Sequence, residues 1–177
     1  MSEPALGTAL LAAVGLQRVV EIAWSRSNVR RLAARGGVVV AHDGLLGLVV
    51  VHVLWLAGMV VERAVLEARV PAAVASVALA GFGAGEALRA WTFATLGRRW
   101  TMKVVVRRGE APIRRGPFRL LRHPNYVALT LEMLLLPLAL GAWRTAALVL
   151  VPHVLTLARR IRLEETAWRE TAGTSLP

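Results

Sequence analysis

Five apolar runs dominate the chain and restrict what it can fold into. They cover about Pro4–Trp24, Gly44–Val61, Pro71–Phe93, Pro124–Trp143 and Thr145–Ala158. A helix needs about 20 residues to cross a bilayer, which the first three runs satisfy and the last two approach. Because 56% of the residues are hydrophobic, the sequence predicts an all-α integral membrane protein of one domain with five transmembrane helices.

The last two runs are short, and each contains a proline, Pro137 or Pro152. The only break between them is the short segment around their junction, Gly141–Arg144. Connections this short join antiparallel neighbours, so the two runs are predicted to form a tight helical hairpin.

If all five runs cross a bilayer, the basic residues between them are unevenly distributed over its two sides. Seventeen of the 22 follow the first, third or fifth run, whereas Arg63, Arg69 and Arg144 alone lie on the other side. Because basic loops stay on the cytoplasmic side, the N-terminus is predicted outside and the C-terminus in the cytoplasm. The polar segments at residues 97–126 and 159–169 are then cytoplasmic.

The net charge of +11 is therefore attributed to contact with anionic membrane lipids rather than with nucleic acid. The bias toward Arg, Ala, Val, Leu and Gly indicates a GC-rich bacterial genome and hence the inner membrane. The chain contains no cysteine, which excludes disulfides, zinc–thiolate sites and thiol catalysis. Met1–Ala5 lacks a basic region typical of a signal peptide, so the first run is predicted to remain as a helix.

Histidines give no indication of a metal site. His52 and His153 lie within apolar runs, where a packed and hydrogen-bonded side chain is the simpler interpretation. No helix carries the His-Glu-x-x-His or Glu-x-x-His spacing of metal ligands, so no metal is predicted.

The segment Arg119–Tyr126 brings polar residues to the start of the fourth run. Pro124 suits the first position of a helix, because the N–H group that it lacks is not needed there. His123 and Tyr126 then lie at a helix start with free backbone donors, which favours a ligand site. Anchoring in the lipid headgroup layer is the alternative for this pair.

A second polar cluster, Arg160 with Glu164 and Glu165, follows the fifth run. Arg160 and Glu164 are four residues apart, so they can also form an ordinary ion pair on a helix surface. If the hairpin forms, however, this cluster and His123 lie at the same end. The sequence therefore predicts one site that contains both clusters.

Three carboxylates lie within the apolar runs and are costly in lipid unless they face a partner. Glu21 can pair with Arg18 or Arg26, and Glu86 can meet Arg89 at helical spacing. The third, Glu132, has no cation nearby in the sequence and is a candidate substrate-binding residue. Near the end of the third run, Trp91 is either an interfacial residue or part of the wall of a substrate pocket.

Three parts of the sequence, Gly116–Tyr126, Glu132 and Arg160–Glu165, together resemble the isoprenylcysteine carboxyl methyltransferase family. They resemble the phospholipid methyltransferases more distantly. Three upstream segments are similar to a bacterial branch that accompanies type III polyketide synthases: Arg18–Glu21, Ser25–Asn28 and Arg35–Gly37. This branch is thought to methylate alkylpyrones or alkylresorcinols.

The resemblance implies S-adenosylmethionine as cofactor. It implies a substrate-orienting role for Arg160 and cofactor contacts for Lys103, Glu110–Ile113, Phe118, His123, Pro124, Asn125, Tyr126 and Glu164. Ala128 stands where the family commonly has glycine. The prenylcysteine features of eukaryotic members are not recognisable.

The residues suit methyl transfer, which mainly requires positioning. Glu164 or Glu165 suits the cofactor's cationic groups, and the N–H groups of Pro124–Tyr126 suit its carboxylate. Phe118 or Tyr126 can stack on adenine, and Arg160 can hold an acidic oxygen as an anion. The predicted function is methylation of an acidic oxygen on a lipophilic acceptor.

The sequence leaves three alternatives to this predicted methyl transfer. A membrane isoprenoid or sterol reductase that uses NADPH has a similar helix start but is generally longer. A phospholipid N-methyltransferase shares the cofactor. A small scaffold or transport subunit would bind no cofactor.

Overall fold

The computed structural model describes residues 3–66, 70–107, 109 and 113–173. Within these ranges five α-helices account for most of the structure, which is 79% helical. The helices are α1 (Glu3–Ala33), α2 (Leu45–Val65), α3 (Ala72–Leu96), α4 (Pro124–Ala139) and α5 (Trp143–Gly173). Two short 3-10 turns, Gly97–Arg99 and Gly116–Arg119, lie between α3 and α4.

The fold departs from a purely helical one at a small antiparallel sheet. Strand β1, Val38–Val39, pairs with strand β2, Val105–Val106, so that Val38 faces Val106. β2 lies in a stretch rich in β-branched residues, Thr101–Val106, but neither strand was assigned from the sequence. Three residues considered in the sequence analysis lie outside the described ranges: Arg69, Arg108 and Glu110.

Two helices extend well past the apolar runs that predicted them. α1 continues nine residues beyond Trp24, and α5 continues past Ala158 to Gly173. Helical hydrogen bonding does not depend on the surrounding solvent, so a helix can extend beyond the hydrocarbon. These extensions bring polar residues of α1 and α5 to one end of the helix bundle, which we call the site end.

Ala5–Ala33 and Leu45–Val65 are long and apolar enough to cross a membrane. Only 17% and 28% of their most apolar windows are buried inside the protein. The core helix of a soluble protein would be largely buried, so these outward apolar faces indicate contact with lipid. α4 is apolar but shorter. Exposed apolar side chains also occur on α3 and α5, such as Val77 and Leu148.

The core lies where α2, α3, α4 and α5 meet. Trp55 and Met59 of α2 are fully buried against Met133 and Leu136 of α4. The Trp55 indole N–H donates to the Met133 carbonyl at 3.0 Å, which satisfies its polar group within an apolar environment. This packing fixes α2 beside α4.

The predicted hairpin is formed by α4 and α5, which are connected by only Leu140–Ala142. Beside this turn, the buried Glu62 of α2 accepts hydrogen bonds at the start of α5. Its carboxylate receives the Thr145 N–H at 2.8 Å, the Thr145 hydroxyl at 2.7 Å and the Arg144 N–H at 3.1 Å. A carboxylate suits this position because the first N–H groups of a helix have no intrahelical partner.

Candidate active site

A cavity of about 710 Å³ lies at the site end. All five helices and the segments before α4 contribute to its walls. It is lined by ten predicted residues: Lys103, Ile113, Phe118, His123, Pro124, Asn125, Tyr126, Arg160, Glu164 and Glu165. Glu110–Pro112, also expected near the cofactor, lie outside the described residues.

The start of α4 forms one wall of the cavity. Pro124 is the first helical residue, and His123 precedes it without a side-chain cap. The His123 ring stacks on that of Tyr126, with centroids 5.4 Å apart. The Tyr126 N–H already donates to the His123 carbonyl at 3.0 Å, so it is less available to a ligand than the free helix start implied.

Tyr126 connects the two clusters predicted to meet. Its hydroxyl donates to Glu164 Oε2 at 2.8 Å and accepts from Arg160 Nε at 3.0 Å. Nearby, His123 Nε2 lies 3.5 Å from Glu165 Oε1. The predicted approach of the His123 end of α4 to the Glu164 region of α5 is therefore confirmed.

Arg160 is buried, with 3% of its surface exposed. Besides Tyr126, its guanidinium donates to the backbone carbonyls of Asp43, at 3.2 Å, and Met102. The nearest carboxylate oxygen, Asp43 Oδ2, lies 3.7 Å from Nη1. Arg160 thus links α5 to the segment before α2 and to the segment before β2.

Asp43 was not anticipated from the sequence. Its carboxylate accepts the Leu45 N–H at 3.1 Å and the Val104 N–H at 2.9 Å. His42 and Gly44 flank it with positive φ angles of 57° and 77°, a conformation that glycine tolerates. An Asp-Gly pair directly before an apolar run is a helix-start signal that identifies this position.

The extension of α1 holds the segment that carries Met102. Ser25 Oγ accepts the Met102 N–H at 2.8 Å, and Asn28 Nδ2 donates to the Trp100 carbonyl at 2.7 Å. Trp100 stacks on Trp24 with centroids 5.0 Å apart. Ser25 and Asn28 belong to the segment that resembles the bacterial branch of the family. Their side chains hold the backbone of Trp100 and Met102 at the cavity.

A cluster of paired charges lies deeper in the bundle and joins α1, α3 and α4. Arg89 binds both oxygens of Glu21, at 2.9 and 2.6 Å, and Glu132 Oε1 at 2.8 Å. Arg18 binds Glu21 at 2.9 Å and Glu132 Oε2 at 2.8 Å. The predicted Arg18–Glu21 pair is confirmed.

Glu86 and Arg89 do not form the hydrogen-bonded pair that their spacing suggested. Glu86 Oε2 instead accepts from Gln17 at 2.9 Å, whereas Arg89 turns to Glu21 and Glu132. The carboxylate that Arg89 contacts depends on how each helix is rotated about its own axis. The spacing of residues along one helix does not determine this rotation.

Of the three predicted substrate contacts, Arg160 lines the cavity, whereas Glu132 and Trp91 do not. Glu132 is 1% exposed and sits behind Arg18 and Arg89, which do line it. Trp91 is 47% exposed on the outer surface of α3. In the described residues, no group of three or more His, Asp or Glu side chains comes together as metal ligands.

The cavity carries charges of both signs. Its lining contains Glu164 and Glu165 together with a set of basic residues: Lys103, Arg107, Arg114, Arg122 and Arg169. Aromatic surface is supplied by Phe118 and Trp168. Such a lining suits a ligand that carries both an ammonium and a carboxylate group.

The chain is similar to a known protein family and to a bacterial protein. The model of the isoprenylcysteine carboxyl methyltransferase (ICMT) family matches residues 77–170. The chain is also 28% identical over 164 residues to Uncharacterized protein YpbQ of Bacillus subtilis (strain 168), covering 91% of this chain and 95% of that protein. No solved structure matches.

The family match spans more than half of the chain and contains α4, most of α5 and the polar residues that they bring together. The chain therefore belongs to the isoprenylcysteine carboxyl methyltransferase family and is a membrane methyltransferase.

Proposed function

We propose that this protein transfers the methyl group of S-adenosylmethionine to an acidic oxygen of a lipophilic acceptor. The observation that carries the proposal is the contact of Tyr126 with Glu164 and Arg160 across the α4–α5 hairpin. This contact closes one side of a cavity of about 710 Å³, within the size range of small-molecule sites.

The residues present fit the cofactor. Asn125 lines the cavity, and its buried Oδ1 has no hydrogen-bond partner among the described residues. A buried polar atom is costly without a partner, so this oxygen is suited to a ligand donor. Glu164 uses Oε2 for Tyr126, which leaves Oε1 for an ammonium group. Phe118 offers a face on which adenine can stack.

When bound, S-adenosylmethionine supplies an electrophilic methyl group on a sulfonium centre. The protein has to hold the attacking oxygen in line with that methyl group, and positioning can supply a large part of the acceleration. Arg160 suits this role because two of its three hydrogen-bond partners are neutral carbonyls. Its ion pair with Asp43 Oδ2 is long, at 3.7 Å, so its positive charge remains able to attract an anionic oxygen.

The acceptor is proposed to be lipophilic because part of the cavity is apolar. The side chains there come from α1, α2 and α4: Ile22, Leu48, Val49, Val53, Leu56 and Leu129. An acidic oxygen such as a phenol, an enol or a carboxylate loses its proton readily and then binds Arg160. The acceptors expected from the bacterial branch, alkylpyrones and alkylresorcinols, meet both conditions.

We also propose that all five helices span the bacterial inner membrane with the site end in the cytoplasm. The excess of basic residues at that end supports this orientation. The exposed apolar faces of α1, α2 and α5 support immersion of the bundle in lipid. The polar cofactor would enter from the cytoplasm, and the acceptor would come from the bilayer.

Calorimetric titration of the purified protein in detergent tests the proposal. We expect saturable binding of S-adenosylhomocysteine, which Glu164→Gln weakens about tenfold or more because a charge-assisted hydrogen bond is lost. Glu170→Gln, an exposed site on the same helix, is the matched control and should bind as the wild type does. Binding of NADPH without S-adenosylhomocysteine would reject the proposal in favour of a reductase.

A further inference from the structure

The short segment Arg114–Arg122, just before α4, has two different sides, and we call it the basic cap. Four of its nine residues are arginines and none is acidic. Within the ranges that the structure describes, Arg114, Arg115, Arg119 and Arg122 form no ion pair. The proposed cofactor brings only one carboxylate, so the basic cap holds more positive charge than this cofactor can compensate.

The inner side of the basic cap packs on the protein. Pro117 is fully buried, and Gly116 lies so close to α3 that a Cβ there would overlap the Thr95 side chain. Gly116 also has a φ of 58°, which favours glycine. Phe118 lines the cavity. The inner side is therefore part of the wall of the proposed cofactor site.

The outer side of the basic cap is exposed. Leu120 has 76% of its surface exposed, and all four arginines are exposed as well. An apolar side chain surrounded by arginines without ion pairs is suited to the layer of lipid headgroups. There the apolar group can reach the acyl chains while the guanidinium groups contact phosphates.

The basic cap lies at the depth of that layer. Thr95, against which it packs, is about one helical turn beyond Trp91 on α3. Trp91 is 47% exposed on the outer surface of this helix, and exposed tryptophans are enriched at the membrane interface. Phosphate groups of the cytoplasmic leaflet are then within reach of the arginines of the cap.

The two sides of the basic cap are joined within a single turn. The N–H groups of Leu120 and Leu121 both donate to the carbonyl of the buried Pro117, each at 3.0 Å. Arg114 and Arg122 are exposed and also line the cavity. Headgroups bound outside would therefore favour the arrangement that forms the cavity wall, because a ligand shifts a population toward the state that it binds better.

We propose that the basic cap binds the phosphate groups of anionic phospholipids on its outer side, and that this contact strengthens the binding of S-adenosylmethionine on its inner side. The inference rests on the proposed function and adds a lipid site that regulates the same cavity. Such coupling between two sites is reciprocal, so bound cofactor should also favour anionic lipid at the cap.

Titration of S-adenosylhomocysteine into the protein in lipid nanodiscs tests the proposal. This ligand has no net charge at neutral pH, so the surface potential of the membrane does not concentrate it. We expect its affinity to be about tenfold higher with phosphatidylglycerol present than in phosphatidylcholine alone. High salt should remove most of this gain by screening. A similar gain from inorganic phosphate in phosphatidylcholine would overturn the assignment to lipid.

Two double variants with the same change in charge separate the basic cap from the rest of the site end. Arg115→Gln with Arg119→Gln alters only residues outside the cavity lining. It should lose most of the gain from phosphatidylglycerol and bind as the wild type does in phosphatidylcholine. Arg30→Gln with Arg35→Gln, at exposed positions near the end of α1, is the matched control and should keep the gain.

The depth of Leu120 gives a test without cofactor. The chain has no cysteine, so Leu120→Cys carries one nitroxide label. We expect oxygen, which is enriched in lipid, to relax this label more than a water-soluble agent does, whereas Glu170→Cys on the end of α5 should show the reverse.

Three results would overturn the proposal: a label at position 120 that lies in water, equal affinity in the two kinds of nanodisc, or an equal loss of the gain in both double variants. Absence of S-adenosylhomocysteine binding in every lipid would instead reject the proposed function.

Discussion

Arg89 and Arg160 are equally buried, each 3% exposed, yet they lie in regions with different partners. Arg89 lies in the bundle between Glu21 and Glu132, and its charge is compensated by two carboxylates. Arg160 lies at the site end, where its donors meet a hydroxyl and two backbone carbonyls. Arg89 has two ion pairs at hydrogen-bond distance, whereas the ion pair of Arg160, with Asp43, is 3.7 Å long. The charge of Arg160 is therefore less closely compensated than that of Arg89.

Removal of the interior arginine should produce the largest effect. Arg89→Met leaves Glu21 and Glu132 short of a buried cation, which typically costs about 3–5 kcal/mol. We expect a loss of that size in the free energy of unfolding, measured by denaturant titration in micelles. Arg26→Met, on the exposed face of α1, should change stability by less than about 0.5 kcal/mol. Unchanged stability of Arg89→Met would mean that the cluster is not formed.

Substitution at the site end should separate catalysis from cofactor binding. A lysine cannot reach the carbonyls of Asp43 and Met102 and the Tyr126 hydroxyl together, because it lacks the planar fork of arginine. We expect Arg160→Lys to lower the rate of methyl transfer about a hundredfold while the affinity for S-adenosylhomocysteine changes less than about threefold. The exposed neighbour gives the control Arg159→Lys, which should behave as the wild type. Equal loss of rate and affinity would move Arg160 into the cofactor site.

The smallest effect is expected at the hydroxyl that connects the two clusters. Tyr126→Phe removes a hydroxyl whose two partners, Glu164 and Arg160, are charged, and such a change costs about 1.5 kcal/mol or slightly more. We expect that loss in the free energy of unfolding. The double variant with Glu164→Gln should show less than the sum of the two single effects, because the residues are in contact. Strict additivity would indicate that Tyr126 and Glu164 do not interact in solution.

The site end was largely predictable because its residues follow local rules. Pro124 begins α4, and a three-residue turn returns the chain, so Tyr126 and Glu164 meet although 38 residues separate them. The interior cluster was predictable only in part. The Arg18–Glu21 pair follows helical spacing, but the partners of Arg89 depend on the rotation of three helices, which no local pattern fixes.

Other contacts could not be predicted from the sequence, for different reasons. The bond between Arg160 and Asp43 spans 117 residues and involves a backbone carbonyl, which every residue has. Strands β1 and β2 have two residues each, too few for an alternating pattern to be recognised. The polar end of α1 could not be assigned to a helix from hydrophobicity alone.

The carboxylate of Glu62 has a consequence for how a ligand enters. It ties α2 to α5 beside the turn of the hairpin, and Arg160 ties the start of α2 to α5 at the opposite end. Fastened at two points, these helices should move as a single rigid unit. Widening of the cavity to admit a bulky molecule therefore has to come from α1 or from the chain between α3 and α4.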